Sequence, residues 1–228
     1  MKGLIATLLI VLVVTSSSLA LTATSQHTGK IVIDHVKNAV YKGVSAKAIT
    51  VENSRNIIIE DSVIKGSNYF GILIINSTNV TVIHDVIVNN GYDGINVQNS
   101  SNVMIAFNNI SFNGHDGITV WEESTNVTIK GNLILGNQFG VFVLDSRYID
   151  ITRNQIVNST IYNVYLYQAS HVKIENNTIV GGGTGINVNY ASFIYVISNV
   201  ITRNLVGVYL GIGIFNISFC YNNISFSE

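Results

Sequence analysis

A period of 23 residues runs through most of this chain, and it leaves few folds open. Copies begin at Ala48, Gly71, Gly94, Gly117, Gly140, Asn163, Gly185 and Gly207, with the spacing shortening to 22 in the last two steps. A fixed period of this size marks a stacked array of one supersecondary unit. Gly117–Asn137 shows the unit: an apolar-x-apolar pair, a polar turn, a second such pair, then a polar residue followed two places later by isoleucine or leucine-like bulk. Alternation at period two describes short strands with one face inward.

Five inward columns run through the copies. The first strand supplies Ile49, Ile72, Ile95, Ile118 and their successors, and beside them Val51, Ile74, Val97 and Val120. The second supplies Ile57 to Ile217 and Ile59 to Phe219, and the third an unbroken isoleucine column from Ile64 to Ile224. β-Branched residues at nearly every inward position, without any apolar spacing of three and four, exclude helical solenoids. Three strands per copy that return to the same three faces predict an all-β, right-handed parallel β-helix of about eight rungs. Domain organisation follows: residues 48–228 form the β-helix and 21–47 an N-terminal cap or incomplete first rung, with Lys30–Ile33 as a strand.

A polar column after the second strand holds Ser62, Asp85, Asn108, Asn132, Asn154, Asn177, Asn199 and Asn222. Asparagine tolerates a left-handed corner, and its amide both donates and accepts, so this column reads as a structural ladder. Ser67, Asn90, Asn113 and Asn137 mark the next corner for the same reason.

The chain is 47% apolar, 11% charged and free of proline, which argues against disorder. A net charge of −1 gives no electrostatic reason to expect nucleic acid. Cys220 stands alone, so no intrachain disulfide forms. Lys2, the apolar run Leu4–Val14 and Ser18-Leu19-Ala20 have the order of a signal peptide over 1–20, which predicts a secreted or cell-surface chain with no membrane span after cleavage. The alternative is a retained anchor, for which the run is short against a bilayer span of about 20 residues.

The consensus Gly-Ile-x-Val-x-x-Ser-x-Asn-Val-x-Ile-x-x-Asn-x-Ile resembles the right-handed parallel β-helix superfamily over residues 48–228, with short regular rungs closest to the NosD-like secreted repeat proteins. That resemblance implies the fold, while the superfamily holds lyases, hydrolases, adhesins and non-enzymatic proteins. It implies that enzymes of the group work on the outward face of the first strand. Polygalacturonase-like members place several Asp there, and no Asp stands on that strand here. Pectate-lyase-like members need a basic residue to abstract a proton, and no Lys or Arg occurs between Lys65 and Lys130.

Two carboxylate pairs gather near the middle. Asp93 and Asp116 share a place before the first strand of neighbouring rungs, and Glu122 and Asp145 share a place after it. Each reads as turn carboxylates in solvent, as a calcium site, or as catalytic candidates, with Asp116, Glu122 and Asp145 the residues for a lyase or hydrolase. No cofactor is expected, calcium being the one alternative these pairs leave open. NosD-like proteins are associated with copper, but His84, His115 and His171 fall at different places in the repeat, which predicts no shared copper site.

Trp121, Phe142, Tyr165 and Tyr167 form an outward aromatic stripe, predicted to bind a polysaccharide or a cell-surface protein. Nine Asn-x-Ser/Thr sites, at Asn76, Asn79, Asn99, Asn109, Asn126, Asn158, Asn176, Asn216 and Asn223, are glycosylation candidates. The last rung carries no capping element and is expected to pair end to end with another copy. The function expected from these features is non-enzymatic binding of glycans or partner proteins, with a polysaccharide lyase or hydrolase as the alternative.

Overall fold

The computed structural model describes residues 29–226; the signal-peptide reading of 1–20 lies outside them. The described residues form a right-handed parallel β-helix without a helical segment. Nine strands, one per rung, make one sheet, from Lys37–Lys42 to Phe215–Cys220. The first and third strands of the rungs make the other, which has 15 strands. No helix among the described residues is long and apolar enough to cross a membrane.

The five inward columns are the core. In each, the first seven members are buried to 1% exposure or less. The eighth members Leu210, Phe219 and Ile224 are exposed, and Val208 and Ile217 only partly buried, since none of the described residues forms a further layer over them. The described part of the stretch expected to be a cap or an incomplete first rung, 29–47, supplies three strands. Lys30–Asp34, Lys37–Lys42 and Ser45–Ala46 pair in parallel with the three strands of the next rung. Ile33, Val36, Tyr41, Val44 and Ala46 extend the core into it.

Three strands per rung holds only for the first rungs. From Gln155–Tyr167 onward, the third strand of one rung runs without a break into the first strand of the next, as it does again in Thr178–Asn189 and Val200–Leu210. Earlier rungs turn this corner through glycine-containing loops, Asn90–Gly94 and Asn113–Gly117, which interrupt the strand. Those loops carry Asp93 and Asp116.

The asparagine ladder forms, with a different division of labour. Asn132 donates through Nδ2 to the Ile105 carbonyl at 2.9 Å and to Asn154 Oδ1 at 3.0 Å, and the same oxygen accepts from the Asn132 backbone N–H at 2.9 Å. This pattern repeats through Asn108, Asn154, Asn177, Asn199 and Asn222. The left-handed backbone falls one residue earlier, on Phe107, Gly131, Arg153, Asn176, Ser198 and Tyr221. The ladder asparagines therefore serve by their amides alone, satisfying buried carbonyls at a corner where the strand ladder lapses. The second corner behaves likewise, with Asn89, Phe112 and Gly136 left-handed.

Candidate functional site

The loops before the first strand of two adjacent rungs read Gly91-Tyr92-Asp93-Gly94 and Gly114-His115-Asp116-Gly117. They stack in register. Gly114 donates its N–H to the Asn90 carbonyl at 2.7 Å, and His115 to the Tyr92 carbonyl at 3.1 Å. A Cβ on Gly114 would lie 2.4 Å from the Gly91 carbonyl oxygen, so only glycine lets the loops approach this closely. The imidazole of His115 lies flat on the Tyr92 ring, with centroids 4.5 Å apart and planes 3° apart.

Asp93 and Asp116 are each 1% exposed. They are not solvated turn carboxylates. Each uses one oxygen on the residue three places ahead: Asn96 donates to Asp93 Oδ2 at 2.6 Å, and Thr119 to Asp116 Oδ2 at 2.9 Å. Asn96 and Thr119 are themselves partners across adjacent strands. Of the remaining oxygens, Asp93 Oδ1 accepts the Asp116 backbone N–H at 3.2 Å, while Asp116 Oδ1 is buried without a hydrogen bond. His115 Nδ1 stands 3.1 Å from Asp116 Oδ1 and 3.4 Å from Asp93 Oδ1, and makes no hydrogen bond to either.

Burial disfavours charge on both acids. It raises the Asp93 carboxyl above its ordinary value, against the opposing effect of the Asn96 hydrogen bond. For Asp116, burial and then the neighbouring Asp93 charge push the carboxyl up to about 7.

The cluster opens into a pocket of about 430 Å³. Its walls are Tyr69, Phe70, Tyr92, Trp121, Phe142 and Leu144, and its polar lining is Asp93, Asn96, His115, Asp116 and Thr119. Trp121 donates from Nε1 to Asn96 Oδ1 at 3.0 Å, which fixes the indole plane over the site. Of the aromatic stripe expected from the sequence, Trp121 and Phe142 line the pocket. Tyr165 stacks on Phe142 at 5.0 Å and Tyr167 follows it at 6.1 Å, so both continue the stripe away from the pocket.

Glu122 and Asp145 do not join the site. Both are exposed and left-handed, on the corner after the first strand. The Gly117 rung holds one extra residue there, so Glu123 rather than Glu122 donates its N–H to the Asp145 carbonyl, at 2.8 Å. Neither lines the pocket or belongs to the Asp93 cluster, so the calcium and catalytic expectations for Glu122 and Asp145 concern a separate, exposed corner. His115, set apart by sequence position alone, is the residue that joins Asp93 and Asp116. His84 and His171 stack instead on Phe107 and Phe193. Eight of the nine glycosylation candidates are exposed and Asn109 is half-buried. Asn79 is itself engaged, donating to Asn56 Oδ1 at 2.7 Å in an outer asparagine row.

A stack of parallel rungs with a polar, aromatic-walled pocket on its outer first-strand face defines a β-solenoid protein with a lateral pocket. Residues 21–163 match the family described as right handed beta helix region, and the chain belongs to it. Residues 112–227 also match the family described as periplasmic copper-binding protein (NosD). No curated protein matches the sequence.

Solved structures share the fold at low identity. A point mutant of the periplasmic alginate epimerase AlgG superposes with a TM-score of 0.65 at 19% identity, covering 79% of this chain and 50% of that one. The A-module of the Azotobacter vinelandii mannuronan C-5 epimerase AlgE6 gives 0.63 at 18%, covering 84% and 69%. An exopolygalacturonase from Thermotoga maritima gives 0.63 at 12%, covering 87% and 72%. The chain thus spans only about half the length of that AlgG structure.

Proposed function

We propose that this chain is an extracytoplasmic β-helix protein that binds a saccharide in the Trp121 pocket. One observation carries the reading: aromatic faces and hydrogen-bonding groups converge in a single cleft. Apolar ring faces suit the C–H surface of a sugar, while Asn96, Thr119, Asp93 and Asp116 offer donors and acceptors to its hydroxyls. The test is titration calorimetry of the purified chain against a polysaccharide panel, with Trp121→Ala and Tyr92→Ala. Each substitution is expected to weaken binding by about 10–100-fold, the equivalent of about 1.4–2.8 kcal/mol. Tyr92 is exposed, so its replacement leaves the fold intact. Binding of no polysaccharide, or unchanged binding in both variants, would overturn the reading.

A second reading, acid–base chemistry on the bound sugar, is favoured by Asp116 alone. A carboxyl near 7 beside a cleft is suited to give and take protons at neutral pH. Release of reducing ends or unsaturated sugars by the wild type, lost in Asp116→Asn, is its expected signature. No release from any polysaccharide of the panel counts against it.

Among the described residues, one cluster of donors suits the copper-binding named for NosD. Cys220 and Met104 are both exposed and lie in different rungs, so they provide no soft thiolate–thioether pair for Cu⁺. The carboxylates and imidazole of the Asp93 cluster suit Cu²⁺.

The reading also includes association through the last rung. Ile212, Phe215, Tyr221 and Phe226 are exposed there beside unpaired strand edges. Sedimentation velocity is expected to show concentration-dependent assembly, abolished by Ile212→Asp with Phe215→Asp. A monomer at every concentration refutes it.

A further inference from the structure

We infer that Asp93 Oδ1, His115 Nδ1 and Asp116 Oδ1 are the ligands of a single divalent first-row transition-metal ion, of the Zn²⁺ or Cu²⁺ kind. The inference goes beyond saccharide recognition and stands without it. One donor atom from each of the three residues lies within 4.8 Å of the other two. Two ligands at the 2.0–2.2 Å typical of such ions, on a tetrahedral centre, are roughly 3.4 Å apart. The two distances from His115 Nδ1, 3.1 and 3.4 Å, match that separation.

Acidic residues gathered together are not by themselves a metal site. Here an independent feature points to a ligand. Asp116 Oδ1, on a side chain only 2% exposed, is buried with no hydrogen bond, and so is His115 Nδ1. Two polar atoms are seldom buried side by side and left unpaired, since each forfeits hydration. The pair faces a third oxygen across a gap of ligand dimensions, and a cation between them satisfies all three.

The surroundings hold these donors in place as outer partners hold metal ligands. Asn96 and Thr119 each take the far oxygen of one carboxylate, leaving the near oxygen directed at His115. Tyr92 stacks on the imidazole and fixes its plane. Both aspartates sit in loops locked rung to rung by close glycine contacts. All three residues line the pocket.

Donor type selects the ion. Ca²⁺ takes six to eight oxygens, and this site offers two carboxylates and a nitrogen. Imidazole with carboxylate suits Zn²⁺ and Cu²⁺, with Cu²⁺ the tighter binder.

The experiment is equilibrium dialysis of the chelator-stripped, purified chain against Zn²⁺, Cu²⁺ and Ca²⁺ separately, read by elemental analysis. Electron paramagnetic resonance is recorded on the Cu²⁺ form. Wild type is expected to hold one Zn²⁺ or one Cu²⁺ per chain and no Ca²⁺, with hyperfine structure from a single imidazole nitrogen. His115→Gln and Asp116→Asn are each expected to lower affinity by more than the roughly 10–100-fold known for losing an outer-sphere partner. His115 is partly exposed, so His115→Gln keeps the fold, as circular dichroism will check, and this variant stays informative if Asp116→Asn does not fold. Failure of wild type to bind either ion, retention of the same signal in His115→Gln, or Ca²⁺ binding as tight as Zn²⁺ would each overturn the assignment. None of these readouts depends on sugar binding, so a failed saccharide screen and a failed metal site are separate outcomes.

Discussion

Asp85→Asn is expected to stabilise the folded chain by roughly 2–4 kcal/mol near pH 8 and to change it little near pH 3. Asp85 stands in the ladder column one rung before Asn108. Its Oδ1 accepts the Ser62 backbone N–H at 2.7 Å, and its own N–H donates to Asn108 Oδ1 at 2.8 Å. Its Oδ2 is buried without a partner. In Asn108 the equivalent atom is an amide nitrogen, donating to the Val82 carbonyl at 3.0 Å and to Asn132 Oδ1 at 3.1 Å. Val82 pairs with Ile59, so the acceptor in line for Asp85 is the Ile59 carbonyl. A carboxylate has no proton to offer it, whereas a neutral acid or an amide does.

Burial, the largest influence, pushes the Asp85 carboxyl from 3.8 up to about 7, and the Ser62 hydrogen bond opposes it. With the folded-state value above the unfolded one, the unfolded chain gives up this proton first as pH rises. Stability contributed by the neutral acid is whole below about pH 4 and is lost on the way to about pH 7. The asparagine variant keeps its donor throughout. Urea unfolding of both proteins near pH 4, 6 and 8 measures the effect, because the difference between the two profiles isolates Asp85 from other buried acids. Parallel profiles would show that Asp85 is not the acid that titrates.

The core was readable because Ile and Val at every second position admit one burial pattern, and Ile64 through Ile201 obeyed it without exception. The corners were less so. Sequence periodicity locates a turn but not which of two adjacent residues takes positive φ, so Asn132 was credited with the conformation that Gly131 holds.

The candidate site was half legible. Trp121 and the Asp93/Asp116 pairing stood out, while the burial of those acids did not. The aromatic wall beside them includes Tyr69, Phe70 and Tyr92, which sit in corner loops outside the inward columns; Tyr69 and Tyr92 keep the 23-residue period, but a corner position does not by itself announce buried acids nearby. A usable signal was present in the consecutive Gly-Tyr-Asp-Gly and Gly-His-Asp-Gly loops, each followed by Asn96 or Thr119 three residues after its aspartate. A polar partner at that fixed offset marks an acid that must be satisfied inside the fold. The extra residue at Glu122 shifts the register on the other side of the strand, as the nine-residue step from Ile118 to Val127 against eight from Ile95 to Val103 and the Glu123–Asp145 backbone contact both show.

Gly117→Ala is expected to cost about 3 kcal/mol or more and to release Asp116 from its position. Gly117 follows Asp116 directly, and its N–H donates to the Phe139 carbonyl at 2.8 Å. An added Cβ would stand 2.6 Å from the Gly140 carbonyl oxygen and 2.6 Å from Ile134 Cγ2, one belonging to backbone and the other to the packed core. Neither can retreat, since the Gly140 layer is pinned from beyond: a Cβ on Gly140 would meet the Asn163 carbonyl oxygen at 2.4 Å. The rungs must then separate locally, and the hydrogen bonds between them lengthen.

Gly43→Ala supplies the contrast. Gly43 has φ near +64° with open space around it, so alanine there meets only the left-handed backbone penalty of about 1–2 kcal/mol. If conformational freedom were the reason for glycine at both places, the two losses would be alike. If close approach between rungs is the reason at Gly117, its loss is the larger and extends to the pocket. Denaturation midpoints give the first comparison, and amide exchange at His115–Thr119 gives the second. Equal midpoints, with unchanged exchange in that segment, would mean that the stack yields more easily than its contacts imply.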